Sequence, residues 1–356
     1  MALLDVRDLS VSFSTVDGVV QAVNGLSFAV EPGRTLGIVG ESGSGKSVAT
    51  QTVIGLTRGA RVSGQAWFAG HDLLNSSEAT LRSVRGGQIG MIFQDPLTSL
   101  HPHYRVGWQI VELIREHDHQ ISKAAAKRRA AELLTLVGIP GAARRVDDYP
   151  HQFSGGMRQR AMIAMAMAMN PQLLIADEPT TALDVTVQAQ VLRVMGDLQR
   201  EFGTAIIMIT HDLGVIADIA DEIVVMYAGS AMETTDRRSL FYDFHHPYTE
   251  GLLASLPVPG RRHRLTPIPG QPPSLINRPA GCPFSPRCRY AFERCTEQMP
   301  PLLQVTAAPE HRSACWLPTS AQERAARRHR LLAPGPEPEP GREPEPGRRE
   351  PESRVQ

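Results

Sequence analysis

The sequence contains no long apolar segment. Its longest apolar run extends from Ala161 to Met169, whereas a helix needs about 20 such residues to cross a bilayer. The segment from Met1 to Asp8 carries acidic residues where a signal peptide would place a basic region and an apolar stretch. These two features predict a cytoplasmic protein that reaches a membrane, if it acts there, only through a partner.

The chain also lacks an excess of charge of either sign, and it has few aromatic residues. There are 37 basic and 37 acidic residues, and aromatic residues make up 5% of the chain. A zero net charge gives no overall attraction to nucleic acid or anionic lipid, and the sequence shows no basic patch with interleaved aromatics. We therefore expect no nucleic-acid partner. With 356 residues, 42% of them hydrophobic, the chain is long enough for two globular domains.

Cysteine is scarce and confined to one region. All four cysteines lie between residues 282 and 315. Because the N-terminus shows no export signal, such a cluster favours a metal site over a set of disulfides. Four unligated thiols or one labile disulfide remain the alternatives at this point.

A glycine-rich loop is the strongest motif in the chain. Residues 40–47 match the pattern G-x-x-x-x-G-K-[ST] at every fixed position, and they stand between an apolar, strand-length run and a run that can open a helix. Glycines without a Cβ let backbone N–H groups approach phosphate oxygens, and the helix N-terminus favours an anion. Lys46 is predicted to reach the β- and γ-phosphates, and the Ser47 hydroxyl to ligate Mg²⁺. The predicted nucleotide contacts from this loop are Gly40, Ser42, Gly43, Ser44, Gly45, Lys46 and Ser47.

Two carboxylates follow a second apolar run. Leu173–Ala176 is typical of a buried parallel strand and ends at Asp177 and Glu178. Asp177 is placed to hold Mg²⁺, directly or through water. Glu178 is the candidate general base that would polarise the attacking water. An acidic turn after a strand is common, but the glycine-rich loop upstream favours the functional interpretation.

The remaining sequence divides into regions of different character. Alternating apolar residues predict strands over 3–13 and 19–30, and residues 106–138 have a helical pattern. Short apolar runs predict further buried strands at 172–177, 205–209 and 223–227. Prolines crowd the stretch from 247 to 286, which leaves little room for long helices or central strands. Residues 333–352 are rich in Pro, Glu, Arg and Gly and predict a disordered tail.

These motifs and several others resemble the ATP-binding subunits of ABC transporters. The resemblance covers residues 3 to about 230 and rests on motifs in the family's order. It includes a signature beginning at Phe153, a Q-loop with Gln94, a D-loop at Ala182–Asp184 and a switch histidine at His211. The fold it implies is α/β: a RecA-like P-loop ATPase core with an antiparallel β subdomain and an inserted helical subdomain, plus a small Cys/Pro-rich C-terminal extension.

The resemblance assigns a role to each of these positions. Gln94 is expected to sense Mg²⁺ and the lytic water, and His211 to contact the γ-phosphate and orient the water with Glu178. Phe13 is expected to stack on adenine, although Tyr104 and Phe28 are alternatives. The signature residues are expected to bind the γ-phosphate held by an opposite subunit; they are Ser154, Gly155 and Gly156. Outside this family, a Ser-Gly-Gly sequence would be only a helix cap.

The family mechanism requires partners. Each ATP is expected to lie between the phosphate loop of one subunit and the signature of another, so one chain cannot complete a site. The resemblance implies a second ATPase subunit, identical or paralogous, and two transmembrane permeases. It places the protein at the cytoplasmic face of the membrane as a peripheral subunit. The helical subdomain, residues 95 to about 165, is expected to receive the coupling helix of a permease.

Further segments resemble the oligopeptide/dipeptide importer branch of the family. They are the segment after Gln94, the sequence from His245 to Thr249, and the segment from Gly281 to Cys288. This resemblance implies peptide import with an extracytoplasmic solute-binding protein. Importers of nickel or glutathione share these features and remain the alternative; a non-transport ATPase is a more distant one. The implied domains are a nucleotide-binding domain over 1–245, an extension over 246–320 and a disordered tail over 321–356.

The cysteine spacing leaves the bound metal open. Four thiolates spaced C-x5-C-x6-C-x19-C suit a [4Fe–4S] cluster or one tetrahedral Zn²⁺, without matching a zinc ribbon or a ferredoxin run. The cysteines are Cys282, Cys288, Cys295 and Cys315. The branch resemblance favours the iron–sulfur cluster. His311, four residues before the last cysteine, is a possible ligand, but we expect it to be an exposed loop residue.

Overall fold

A computed structural model describes residues 2–95, 99–181, 183–256 and 267–317 of the chain. The strands are β1 (Leu4–Thr15), β2 (Gly18–Val30), β3 (Thr35–Val39), β4 (Ala60–Phe68), β5 (His71–Asp72), β6 (Ile89–Ile92), β7 (Leu173–Asp177), β8 (Ala205–Thr210), β9 (Glu222–Tyr227), β10 (Ser230–Asp236), β11 (Leu303–Gln304) and β12 (Arg312–Ser313). The helices are α1 (Lys46–Val53), α2 (Glu78–Val84), α3 (Val106–His117), α4 (Lys123–Leu136), α5 (Ala142–Arg145), α6 (Gly155–Ala166), α7 (Val185–Phe202), α8 (Leu213–Ile219), α9 (Arg237–Tyr242), α10 (Pro247–Ala254) and α11 (Glu293–Glu297). The predicted tail and the residue Ala182 of the D-loop lie outside the described residues.

An eight-stranded sheet forms the centre of the molecule. Its strand order is β11-β12-β10-β9-β3-β8-β7-β6. The strands from β9 to β6 run parallel, and every residue of β3, β7 and β8 is buried, as their near-continuous apolar sequences predict. Because the carboxyl ends of parallel strands share one edge, the segments after β3, β6, β7 and β8 meet there. That edge carries the predicted site residues.

A second sheet is antiparallel and packs against the first. Its order is β2-β1-β4-β5, and bulges interrupt the pairing of β1 with β2. Buried residues of β1 and β2 join buried residues of β3, β7 and β8 in one apolar cluster around α1. This sheet is the antiparallel subdomain that the family resemblance implied.

Helices α3 to α6 form a separate layer between β6 and β7 in the chain. The helical character predicted for residues 106–138 is observed as two helices, α3 and α4. The side-chain oxygen of Asp118 accepts from the backbone N–H of Gln120 at 3.0 Å, and Ser122 caps α4 by accepting from Ala125 N at 3.2 Å. These local acceptors replace helical hydrogen bonds and so end one helix and begin the next. Apart from this break, the expected α/β architecture is confirmed.

The C-terminal region adds to the central sheet. Strand β12 pairs antiparallel with β10, and β11 pairs with β12, so two short strands from beyond residue 300 extend the sheet. Within the described residues, no helix is long and apolar enough to pass through a bilayer.

Candidate functional site

The glycine-rich loop joins β3 to α1 at the carboxyl edge of the central sheet. Glycine is required at two of its positions. Gly40 and Gly45 both have positive φ, and a Cβ on either would overlap a backbone carbonyl oxygen, that of Met226 or of Ala22. The loop is therefore held against the second sheet and against β9, with its backbone N–H groups presented at the start of α1.

Lys46 begins α1 and is buried beneath the loop. Its Nζ donates to the carbonyl oxygens of Gly40 at 2.8 Å and Glu41 at 2.9 Å. Burial lowers the pKa of Lys46, while nearby carboxylates, led by Glu178 and Asp177, act in the opposite direction. The ammonium is thus a cation in a low-dielectric site with neutral acceptors, which favours an incoming anion.

Ser47 and Asp177 lie side by side, although 130 residues separate them in the chain. The Ser47 hydroxyl donates to Asp177 Oδ1 at 2.8 Å. Burial raises the pKa of Asp177, and the hydrogen bond from Ser47 opposes that shift. A hydroxyl and a buried carboxylate in contact form an oxygen-ligand pair suited to Mg²⁺.

Glu178 follows directly and collects three polar neighbours. Gln94 Nε2 donates to Glu178 Oε2 at 3.1 Å, Thr181 Oγ1 donates to the same oxygen at 2.9 Å, and His211 Nδ1 lies 3.4 Å from Oε1. The φ of Glu178 is 47°, a rare value for a residue with a side chain, and it turns the carboxylate away from the strand axis. The predicted base, Q-loop glutamine and switch histidine are therefore brought together.

One cavity connects these groups. It has a volume of about 390 Å³ and is bounded by residues 42–48, Gln94, Glu178 and Phe13, with Val20, Ala22 and Leu275 completing its wall. Of the three aromatic residues considered for adenine, Phe13 borders this cavity, whereas Phe28 lines a different cavity and Tyr104 stacks on Trp108 with ring centroids 4.3 Å apart.

The signature residues are not part of this cavity. Ser154 caps α6 by accepting from Met157 N at 3.3 Å, and Ser154 and Gly155 are exposed. Gly156 packs so closely on Val187 that a Cβ would lie 2.8 Å from its Cγ1. Asp184 caps the neighbouring helix α7. The signature thus presents a helix N-terminus to solvent, away from the phosphate loop of its own chain.

Several residues at the site were not anticipated. Thr181 hydrogen-bonds Glu178, and its short distance from Glu178 in the chain was the only sequence signal. Arg287 Nη1 donates to the Glu41 carboxylate at 2.8 and 3.0 Å, which ties the C-terminal region to the phosphate loop. Leu275 also comes from that region. No local pattern could have placed residues so far apart in the chain beside the loop.

The four cysteines form a second cluster at a distance from the phosphate loop. All four line one small cavity of about 20 Å³, with Cys282 and Cys295 buried, and none of the four is in a disulfide. Burial raises the pKa of Cys282 to about 12, and the other three thiols add to that shift. The disulfide alternative is therefore absent from this structure.

The expectation for His311 was wrong. The residue is 1% exposed, and its Nε2 lies 3.1 Å from Oε1 of the buried Glu233. It does not line the cysteine cavity. The burial could not be predicted from the sequence because it depends on the pairing of β12, which follows His311, with β10 of the central sheet.

The fold and the site together define an ATP-binding cassette, a P-loop domain that binds and hydrolyses ATP with Mg²⁺. Solved cassettes share the fold. MJ0796, solved as a dimer bound to ADP and Pi, aligns with a TM-score of 0.60 and 24% identity over 66% of this chain and 99% of that one. CbiO1 of Clostridium perfringens aligns with a TM-score of 0.58 and 26% identity over 68% of this chain and 91% of that one.

Sequence comparisons narrow the class. Residues 23–181 match the ABC transporter family, and residues 232–295 match the oligopeptide/dipeptide transporter C-terminal region. The oligopeptide transport ATP-binding protein OppD of Bacillus subtilis is 54% identical over 88% of both chains. OppD of Escherichia coli is 52% identical over 89% of this chain and 94% of its own. The chain belongs to the ABC transporter family, in the branch of oligopeptide/dipeptide transport ATP-binding proteins.

Proposed function

We propose that this protein is the ATP-hydrolysing subunit of an importer that carries di- or oligopeptides across the cytoplasmic membrane. The observation that carries the proposal is the convergence of the phosphate loop, Ser47–Asp177 and Glu178 on one cavity, in a chain that matches peptide-transport relatives over nearly their whole length. The cavity supports the ATPase chemistry, and the relatives support the peptide substrate.

The residues fit ATP with Mg²⁺. Gly40 and Gly45 let the loop turn closely against β9 and β2, so that its backbone N–H groups can approach phosphate oxygens. Lys46 would exchange its carbonyl acceptors for the β- and γ-phosphates. Ser47 and Asp177 would hold Mg²⁺, with Gln94 beside them. The metal would stabilise negative charge on the phosphates. Phe13 would stack on adenine at the far end of the cavity.

Glu178 is the proposed base. Its carboxylate would accept a proton from the attacking water, and Gln94 and His211 would fix its orientation through their contacts with it. His211 is largely exposed beside Glu178, where it would contact the γ-phosphate and orient the attacking water together with the base.

A second subunit would complete the site. The exposed N-terminus of α6, with Ser154 and the two glycines after it, would bind the γ-phosphate held by the phosphate loop of the opposite ATPase, which is identical or paralogous. ATP bound between the two chains would favour the closed dimer, because only that state makes both sets of contacts.

Transport requires membrane partners, and we propose two transmembrane permeases, with an extracytoplasmic solute-binding protein delivering the peptide. The helical layer within residues 95–165 offers a docking surface on the cytoplasmic side. Trp108 in α3 stacks with Tyr104, which precedes the helix, and Trp108 is 40% exposed. Aromatic side chains of this kind are enriched in protein interfaces. In this proposal the nucleotide-binding domain comprises 1–245 and the extension 246–320.

The four cysteines would hold a [4Fe–4S] cluster. They line one cavity, which fits a shared group. The resemblance to the oligopeptide/dipeptide branch favours the cluster over one tetrahedral Zn²⁺. Cluster binding would serve to fold this proline-rich region, since ligand binding to the folded state adds to its stability.

Co-purification tests the transport function. The tagged protein should recover two multi-span permeases, a second ATPase and a solute-binding protein from solubilised native membranes. Reconstituted with those permeases, its ATPase rate should rise with peptide-loaded binding protein and not with nickel- or glutathione-loaded protein. Recovery without any membrane protein would refute the transport role and leave the ATPase chemistry intact.

The nucleotide and cluster assignments have separate tests. The Lys46→Ala variant should lose affinity for ATP, and normal affinity would contradict the role of the phosphate loop. Protein purified without oxygen should be brown and contain iron. A colourless protein holding zinc on sulfur would contradict the cluster while leaving the ATPase untouched.

A further inference from the structure

A group of buried polar side chains outside the nucleotide site surrounds Glu233. This carboxylate, on β10, is fully buried. It accepts from the backbone N–H groups of His245 and His246 at 2.6 and 3.0 Å and from the Thr249 hydroxyl at 2.6 Å. The Nε2 of His311 lies 3.1 Å from its Oε1. The nucleotide chemistry uses none of these residues.

The contact with Glu233 determines the state of the His311 ring. A carboxylate accepts a proton donor, so in the neutral ring Nε2 carries the hydrogen and Nδ1 presents its lone pair. His311 is only 1% exposed, and its buried Nδ1 has no hydrogen-bond partner. A buried acceptor without a partner destabilises the folded protein, and a bound ligand would satisfy it.

Asp243 and His245 lie close to His311. Asp243, His245 and His311 each offer one donor atom, and the three atoms all lie within 4.8 Å of one another. The rings of His245 and His311 are 4.8 Å apart between centroids and nearly perpendicular, at 87°. Among the described residues, this is the only group of three or more His, Cys, Asp or Glu side chains with that geometry.

We propose that Asp243, His245 and His311 form a binding site for a divalent transition-metal ion of the Zn²⁺ class. Two imidazoles and a carboxylate are ligands of borderline character, which suit Zn²⁺ better than Mg²⁺ or Ca²⁺. Glu233 supplies the carboxylate–histidine contact that orients metal-binding histidines. Asp243 is partly exposed and gives the ion its path from solvent.

The position of the site indicates what the ion would do. Asp243 and His245 lie between α9 and α10, whereas His311 directly precedes β12, the strand that pairs with β10. The ion would therefore fasten the C-terminal strands to the edge of the central sheet. This role is structural and independent of the four cysteines and of ATP hydrolysis.

Zinc titration of the full chain tests the site. The chelator-treated protein is titrated with Zn²⁺, bound zinc is counted by mass spectrometry, and its ligands are identified by X-ray absorption. Nitrogen and oxygen ligands give distances of about 2.0 Å and sulfur ligands about 2.3 Å, so this site is distinguished from zinc on the cysteines. We expect one equivalent with nitrogen and oxygen ligands only.

Two variants and a control complete the test. Asp243→Asn preserves size at a partly exposed position, and His311→Gln removes the buried ligand; each should weaken this zinc equivalent by at least about tenfold. The control is His119→Gln, which changes an exposed histidine outside the group. This variant should bind zinc as tightly as the unmodified protein does. Far-UV circular dichroism shows which variants are folded. Zinc on sulfur alone, or undiminished binding by folded Asp243→Asn protein, would overturn the proposal.

Discussion

Glu178 shows how individual side chains at the site are tuned. Partial burial alone would raise its pKa, yet the hydrogen bond from Thr181 and the interaction with His211 hold that pKa below its usual value. The carboxylate is therefore ionised at neutral pH and able to accept a proton. Gln94 and Thr181 both donate to the same oxygen of Glu178. Together with His211, these neighbours restrict the rotation of the Glu178 side chain.

Replacing Glu178 with Gln should separate binding from hydrolysis. The amide keeps the size of the side chain but cannot accept a proton, so we expect turnover to fall by at least about 100-fold with nearly unchanged ATP affinity. Steady-state phosphate release and nucleotide-binding titration measure the two quantities. Arg82→Gln, an exposed change on α2, is the control. Unchanged turnover in Glu178→Gln would exclude this residue as the base.

The sequence predicted the site residues that belong to short motifs. Lys46, Ser47 and Asp177 could be identified because glycine spacing and an apolar strand ending in acids dictate their surroundings. The pair of Glu41 and Arg287 could not, since their contact depends on the path of the chain across 246 residues. His311 was misassigned for the same reason: its burial is set by the pairing of β12 with β10.

At the scale of helices and strands, replacing a helical glycine with alanine should have opposite effects on stability in different surroundings. Gly107 lies in the first turn of α3, where its backbone N–H donates to Val146 O at 2.9 Å and a Cβ would overlap that oxygen. Gly196 lies within α7, where a Cβ would meet only the end of Arg200 at 3.6 Å. Helix propensity alone would favour alanine at both positions.

These two glycines form a matched pair for substitution. Gly107→Ala should lower the free energy of unfolding by about 1–3 kcal/mol, because α3 must move away from Val146. Gly196→Ala should raise it by up to about 1 kcal/mol, since alanine is the better helix former. Urea denaturation of both variants measures the difference. Equal effects would show that the close approach at Gly107 does not constrain α3.

The cap of α9 should make stability depend on pH. Asp236 accepts from Ser239 N at 3.0 Å; burial alone would raise its pKa, but hydrogen bonds led by those of Ser239 lower it. Because the pKa of Asp236 is lower in the folded protein than in the unfolded chain, its ionised carboxylate stabilises the folded state. This stabilisation is fully present above the unfolded-state pKa of about 3.9 and is lost as the pH falls through the folded-state pKa.

The Asp236→Ala variant tests that dependence. At pH 7 it should lose about 1 kcal/mol of unfolding free energy, the usual contribution of an N-cap. The deficit relative to the unmodified chain should shrink below about pH 4, where the capping carboxylate takes up a proton. Urea denaturation between pH 7 and pH 3 measures it, and a deficit that is constant throughout would show that the charge contributes nothing.

Element types were predictable where the apolar pattern was strong. The strands β3, β7 and β8 follow from their continuous apolar runs. The helical pattern over 106–138 did not give the position of the break between α3 and α4, because the break depends on hydrogen bonds accepted by Asp118 and Ser122. The two-residue strands β11 and β12 are too short for any periodicity, and only their pairing defines them.

In the molecule as a whole, the C-terminal region supports the nucleotide site. Leu275 lines the nucleotide cavity, and its carbonyl oxygen accepts from Gln21 N at 3.0 Å. The Arg287 guanidinium, almost buried, pairs with Glu41 in the phosphate loop and lies over the Tyr227 ring. Arg287 thereby neutralises a carboxylate close to where the triphosphate would bind.

Removal of that cation should weaken nucleotide binding. In Arg287→Met, the uncompensated Glu41 charge would repel the triphosphate by about 1 kcal/mol, or roughly fivefold in Kd for MgATP. The double variant with Glu41→Gln should recover most of the affinity, because the repelling charge is then absent. Isothermal titration measures all three proteins. A double variant as weak as Arg287→Met would show that lost packing, rather than charge, is responsible.

The pairing of β12 with β10 limits which C-terminal regions of related proteins could replace the one in this chain. A hybrid that joins one relative's cassette to another's C-terminal region must keep matching partners on both sides of the junction, among them Glu41 with Arg287 and Glu233 with His311. Each pair divides between the two parental segments. Recombination near residue 250 would thus separate residues that depend on one another, and such hybrids should survive selection only when both halves descend from close relatives.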